Sequence, residues 1–101
     1  MIFPTIHLNG TSQRQLLEDQ CDMVHALSNA LDVMSQNGPN ARDYYPQGDH
    51  AAAEARKEHE ERMAAIRKVK FEIEKIAEYV ADANGQRWTF KVLPVLVSER
   101  I

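Results

Sequence analysis

Two long segments of this chain place apolar residues three or four positions apart, the spacing that brings side chains onto one face of an α-helix. In residues 12–36 these apolar positions are Leu16, Leu17, Cys21, Met23, Val24, Leu27, Leu31 and Met34. In residues 49–84 the stripe consists of His59, Met63, Ile66, Val69, Ile73, Ile76 and Val80. The sequence therefore predicts a mainly α fold with two helices, of which the second is longer.

Residues that favour helix ends bound both segments. Ser12 followed three positions later by Gln15 is a capping-box pattern at the start of the first helix. Gly38 predicts a left-handed cap at the end of that helix, and Asp49 predicts the N-terminal cap of the second. Residues 37–48 are then the loop of a long antiparallel two-helix hairpin.

Both ends of the chain have the pattern of extended segments. Residues 1–10 contain a short strand-like run. Gly85 predicts the end of the second helix, and residues 87–98 then have the pattern of an extended segment. Residues 87–93 alternate in the way of a half-buried strand, Pro94 interrupts the alternation, and residues 93–97 are an apolar tail. We expect short N- and C-terminal strand-like segments that pair with each other or with a partner.

Length and charge limit the function classes. A chain of 101 residues forms a single domain, 1–101, and its net charge of -3 with interleaved acids and bases argues against binding to duplex DNA. The first residues show neither a secretion signal nor a membrane anchor, so we expect a cytoplasmic protein. Cys21 has no second cysteine to pair with and is predicted to be a buried small residue.

A hairpin of two amphipathic helices buries only one stripe per helix. That burial is too small to offset the conformational entropy of about 100 residues, so we predict a homo-oligomer, a dimer or higher, in which hairpins form a bundle. In an antiparallel two-fold dimer the loop of one chain lies beside the N-terminal turn of the other, and Asn9 and Thr11 in that turn then help to form two equivalent pockets.

The loop is longer and chemically richer than a helix connection requires. Tyr44 and Tyr45 offer faces on which bases stack, and Arg42 offers a fork for phosphate. The candidate ligand-binding residues are Asn40, Arg42, Asp43, Tyr44, Tyr45, Gln47, His59, Arg62, Asn9 and Thr11. The competing interpretation is that the prolines form turns, that Arg42 pairs with Asp43 or with a helix terminus, that one tyrosine closes the end of the bundle and that His59 is a satisfied core histidine.

Metal and catalytic patterns are weak. His50 and His59 are nine positions apart, no cysteine pair exists, and the acidic residues are scattered along a helix face. We predict no metal site, no cofactor and no enzymatic activity.

Residues 7–12, with the sequence HLNGTS, and residues 39–48, with the sequence PNARDYYPQG, carry a resemblance. The chain resembles a family of small uncharacterised proteins encoded by bacteriophages and prophages, over about residues 3–80. The resemblance implies a phage origin and a setting in the host-cell cytoplasm, but no established activity.

Two function classes follow by analogy with small phage counter-defence proteins. In the first, the oligomer sequesters a nucleotide-derived signal of host immunity in pockets that include the tyrosine loop. In the second, the chain inhibits a host defence complex by protein-protein contact, in the manner of an anti-CRISPR protein. A phage structural or accessory role is a third option that the residues neither support nor exclude.

Overall fold

The computed structural model describes residues 1–83, which form three helical elements. Helix α1 spans Gln13–Gln36, a 3-10 helix spans Ala41–Gln47, and helix α2 spans Ala51–Asp82. No strand forms within residues 1–83. The prediction of a mainly helical chain with a longer second helix is confirmed.

The start of α1 follows the predicted capping signal. Ser12 is extended, and its hydroxyl oxygen accepts a hydrogen bond from the Gln15 backbone N–H at 3.2 Å. The Gln15 side chain does not complete a capping box, because its amide donates to the Asp19 carboxylate at 2.8 Å. One half of the box is therefore enough to fix the first turn.

Two predicted helix caps are wrong. Gly38 does not provide a left-handed cap, because the C-terminal cap of α1 is Asn37, whose side-chain amide donates to the Val33 carbonyl at 2.7 Å. Asp49 does not cap α2; the residue before that helix is His50, which makes no side-chain capping bond. Instead, a hydrogen bond from the Ala51 N–H to the Gly48 carbonyl, at 3.3 Å, closes a turn at the start of α2.

The N-terminal segment does not form the predicted strand within the described residues. It packs through a side chain instead, because the ring of Phe3 stacks on Tyr79 of α2 with centroids 4.7 Å apart. A turn closed by the Gly10 N–H and the His7 carbonyl, at 3.1 Å, then leads into α1. The predicted second strand-like segment, residues 87–98, and the predicted terminator Gly85 lie outside the described residues.

Hydrogen bonds join the two long helices near both of their ends. The Gln13 side-chain amide, in the first turn of α1, donates to the carbonyl of Val80 at 2.8 Å and to that of Ala81 at 3.3 Å. At the other end of α1, the Met34 carbonyl lies 2.7 Å from Nε2 of His59, in the first half of α2. The start of α1 thus lies against the end of α2, and the end of α1 lies against the first half of α2.

The core between α1 and α2 is narrow and made of small side chains. Cys21, Val24 and Ala77 form its buried cluster, with Leu17 and Ile73 packed against it. Val80 is the largest side chain that is fully buried among the described residues. Cys21 is therefore a buried core residue, as its position in the helical stripe predicts, and several larger apolar residues remain accessible to solvent.

No helix within residues 1–83 contains an apolar stretch that is long enough to cross a lipid bilayer.

Candidate functional site

The loop predicted to bind a ligand is an ordered structure rather than a bare connection. Asn40 caps the 3-10 helix: its side-chain oxygen accepts from the Arg42 N–H at 3.1 Å, and its carbonyl accepts from the Asp43 N–H at 3.0 Å. A cap of this kind fixes the first residues of the helix. The side-chain oxygen and the carbonyl of Asn40 therefore both bond to the backbone, and only its side-chain NH2 group remains to contact a ligand.

The arginine and one tyrosine of this helix are presented to solvent. The guanidinium of Arg42 makes no hydrogen bond or ion pair with residues 1–83, and the pairing of Arg42 with Asp43 in the competing interpretation is not formed. Tyr45 is 69% exposed, whereas Tyr44 is half-buried. The two adjacent tyrosines therefore differ, since one closes against the protein and the other offers an open ring face.

Helical geometry places Arg42 and Tyr45 on the same face. A 3-10 helix has three residues per turn, so side chains three positions apart are eclipsed, with a rise of about 6 Å between them. Ala41 and Tyr44, which are also three apart, are both half-buried and lie on the face toward the protein. Arg42 and Tyr45 consequently form a solvent-facing pair, while Gln47 is exposed on the next turn.

The end of the loop depends on a glycine. The N–H of Gly48 donates to the Tyr45 carbonyl at 3.3 Å, and Gly48 has φ +105° and ψ 172°, a conformation that only glycine adopts without strain. Gly38 has no such requirement, because its φ is not positive and a Cβ placed there would lie 3.5 Å from the His59 ring. The two glycines at the ends of the loop have different roles.

We expect Gly48→Ala to lower the free energy of unfolding by about 1–2 kcal/mol, because alanine is strained at this backbone conformation. Gly38→Ala is the matched control and should change that free energy by less than about 0.5 kcal/mol, since its Cβ makes only an ordinary contact. Urea denaturation followed by circular dichroism measures both values. Equal stabilities of the two variants would contradict the assigned role of Gly48.

His59 is engaged in the fold. A carbonyl only accepts hydrogen bonds, so Nε2 of His59 must be protonated and donate to Met34. The ring also lies beside Gly38, which ties the beginning of the loop to α2. Arg62, three residues further on, is exposed and makes no hydrogen bond or ion pair with the described chain. His59 thus positions the loop, and Arg62 is the member of this pair that remains available to a ligand.

Asn9 and Thr11 lie at the other end of the molecule. Both are exposed, in the turn that precedes α1. The 24 residues of α1 separate this turn from the tyrosine loop by about 36 Å, given the 1.5 Å rise per residue. A single chain therefore does not bring Asn9 and Thr11 to the loop, and a shared pocket requires a second copy.

A cavity that sequence reasoning missed lies at that same distant end. It has a volume of about 290 Å³ and is lined by Thr5, Ile6, Tyr79, Asp82 and Ala83. The N-terminal segment forms one wall because Phe3 stacks on Tyr79, whereas the sequence pattern predicted that this segment pairs as a strand. The signal available in the sequence was Phe3, an aromatic residue that can pack against a helix.

No three histidine, cysteine, aspartate or glutamate side chains converge on a possible metal site in the part of the chain that the structure describes. Comparisons of the sequence with protein-family models and curated proteins, and of the fold with solved structures, gave no match.

Proposed function

We propose that this protein binds a nucleotide-derived ligand and sequesters it without turnover, in pockets of a homo-oligomer of helical hairpins. The observation that carries the proposal is the pair formed by Arg42 and Tyr45 on one open face of the capped 3-10 helix. A guanidinium without a partner among residues 1–83 lies there beside a tyrosine that is 69% exposed.

The two side chains match the two parts of a nucleotide. The planar guanidinium of Arg42 donates paired hydrogen bonds to phosphate oxygens, which a lysine cannot do in the same geometry. The ring of Tyr45 stacks on a base, an interaction worth about 1–3 kcal/mol. Their separation along the helix, about 6 Å, suits a phosphate and a base of the same nucleotide. Arg62, which is exposed on α2 and makes no ion pair with residues 1–83, is available as a second positive charge.

The surrounding structure holds this pair in place before a ligand arrives. Asn40 caps the 3-10 helix, Gly48 ends it, and the inward face carries Ala41 and half-buried Tyr44. Binding to a preformed site avoids the cost of ordering a loop. The resemblance to small phage proteins supplies the biological setting of the proposal, in which the ligand is a nucleotide signal of host immunity and the protein acts in the host-cell cytoplasm.

The test is a thermal-shift screen of the purified protein against cyclic dinucleotides, cyclic trinucleotides and ADP-ribose derivatives, followed by calorimetric titration of each compound that raises the melting temperature. We expect Arg42→Ala and Tyr45→Ala each to weaken binding by about 10- to 100-fold. Tyr45→Phe should bind within about threefold of the unmodified protein, because stacking needs the ring and not the hydroxyl.

Arg67→Ala is the matched control, since Arg67 pairs with Glu60 in the middle of α2, about 24 Å along the helix from Ala51. It should leave affinity unchanged. A screen with no shift, together with no nucleotide released from heated protein, would overturn the proposal.

A second function is favoured by the charges on α2. Between Glu54 and Arg62, all charged side chains except the partly buried His59 are exposed, and only Glu60 forms an ion pair, with Arg67, within the described chain. Such a mixed-charge surface suits electrostatic steering toward a protein partner. If the nucleotide screen is negative and a discrete host protein co-purifies in a manner that charge reversal at Arg56 and Glu60 abolishes, inhibition of a host defence complex becomes the better proposal.

A further inference from the structure

One side of the helix pair presents apolar side chains that no described residue covers fully. On α1 these are Met23, Leu27, Ala30 and Met34, and on α2 they are Ala65, Val69 and Ile76. Met23 and Val69 are 41% and 43% exposed. We call this set the apolar face. Its members follow spacings of three, four and seven, so on each helix they form one stripe. On α2 the same stripe also carries the exposed charged residues Glu58, Arg62 and Glu72.

The two stripes lie on the same side of the molecule. Relative to the residues that contact the other helix, each stripe is rotated by roughly 80–120° in the same sense, at 100° per residue. Because the start of α1 lies against the end of α2, and the end of α1 against the first half of α2, the same sense of rotation leads to the same side of the pair. The two stripes therefore lie on one side of the helix pair, as in surfaces that two hairpins bury when they form a four-helix bundle, and Glu72 interrupts the α2 stripe between Val69 and Ile76.

A row of charges borders this face along α2. Glu54, Glu61, Lys68 and Lys75 are seven positions apart, so they lie along one edge of the helix, acidic in its first half and basic in its second. Glu54, Glu61 and Lys68 make no ion pair with residues 1–83, while Lys75 lies 3.9 Å from Glu78. The order of the charges is what selects an orientation for a partner.

We infer that the apolar face is covered by a second copy of this chain, with α2 packed antiparallel against α2 of the other copy about a two-fold axis between residues 64 and 65. In this register Glu61 of each copy faces Lys68 of the other, and Glu54 faces Lys75. A parallel arrangement would place equal charges opposite each other. The largest fully buried side chain of the core is Val80, so the described helix pair buries few large residues. A second copy would stabilise the fold by burying more apolar surface.

This arrangement rests on the proposed homo-oligomer and states how its pockets are completed. It brings the 3-10 helix of one copy to the end of the other copy that carries Asn9, Thr11 and the cavity between Thr5 and Tyr79. The separation of about 36 Å that keeps these residues apart in one chain is then removed. Each dimer has two equivalent composite sites, as two-fold symmetry requires.

Charge reversal with rescue tests the orientation. We expect Glu61→Lys and Lys68→Glu each to raise the dissociation constant of the dimer by roughly tenfold or more, because every dimer contains the reversed contact twice. The double variant should return to within about threefold of the unmodified protein. Arg56→Glu, an exposed change on the opposite side of α2, is the matched control and should have no effect. Analytical ultracentrifugation gives the dissociation constants.

Substitutions of apolar residues test the face itself. Val69→Lys should give a monomer at micromolar concentration, whereas Phe71→Lys, which also replaces an exposed apolar side chain of α2 but outside the apolar face, should remain dimeric. The inference would be overturned if the unmodified protein were a monomer. It would also be overturned if the dimer of the double charge variant were weakened by the combined effects of Glu61→Lys and Lys68→Glu. The dimer and the ligand fail separately: a dimer that binds no nucleotide removes only the proposed function, and a monomer that binds one removes only this inference.

Discussion

Val80→Asp is expected to leave the protein largely unfolded at 25 °C, with a loss of about 4 kcal/mol or more in the free energy of unfolding. The side chain of Val80 is fully buried, and its carbonyl accepts the bond from Gln13 that joins the end of α2 to the start of α1. A carboxylate at this position either remains charged in apolar surroundings or takes up a proton, and both cost free energy. Since single domains have about 5–15 kcal/mol in total, the loss is a large part of the whole.

The measurement is urea denaturation followed by circular dichroism, at one fixed protein concentration because an oligomer gains stability with concentration. Val80→Ala should lose about 1–3 kcal/mol, as expected for removal of buried methyl groups. Val33→Asp is the matched control: Val33 is 51% exposed on α1, and its replacement should cost less than about 1 kcal/mol. If Val80→Asp and Val33→Asp were equally stable, the core described for this chain would be wrong.

The helices of this fold could be predicted from the sequence because the patterns that indicate them are local. The spacing of apolar residues predicts both long helices, and the side chain of Ser12 predicts the first helix start. The caps at Gly38 and Asp49 were mispredicted because other residues compete for the same backbone groups. Asn37 donates to the Val33 carbonyl before a glycine cap is needed, and the turn from Gly48 to Ala51 carries the chain past Asp49.

The candidate site was accessible only in part, because its composition is local but its geometry is not. The residue types of the loop indicate stacking and phosphate binding from the sequence alone. That Arg42 and Tyr45 share a face follows only from the 3-10 conformation, which has a period that the sequence does not reveal. The hydrogen bond between His59 and Met34 joins residues 25 positions apart. No local sequence pattern therefore distinguishes a histidine that holds the loop in place from one that binds a ligand.

His59→Ala is the second large change, with an expected loss of about 2–3 kcal/mol in the free energy of unfolding. The substitution removes the hydrogen bond from Nε2 to the Met34 carbonyl and leaves a gap beside Gly38. The Met34 carbonyl keeps its second donor, the Asn37 N–H at 3.2 Å, so it is not left without any partner. His50→Ala is the matched control, because His50 is exposed and makes no side-chain capping bond, and it should change stability by less than about 0.5 kcal/mol.

A ligand titration separates the two roles of His59. If His59 acts by holding the loop against α2, His59→Ala at a temperature where it is folded should bind any nucleotide found by the screen within about threefold of the unmodified protein, a difference below 1 kcal/mol. Loss of affinity with unchanged stability would instead return His59 to the ligand-binding residues. We expect His59 to hold the loop against α2, because its Nε2 donor already bonds to the Met34 carbonyl. The side chains of Arg42 and Tyr45 make no hydrogen bond with residues 1–83, and we expect them to contribute most of the affinity.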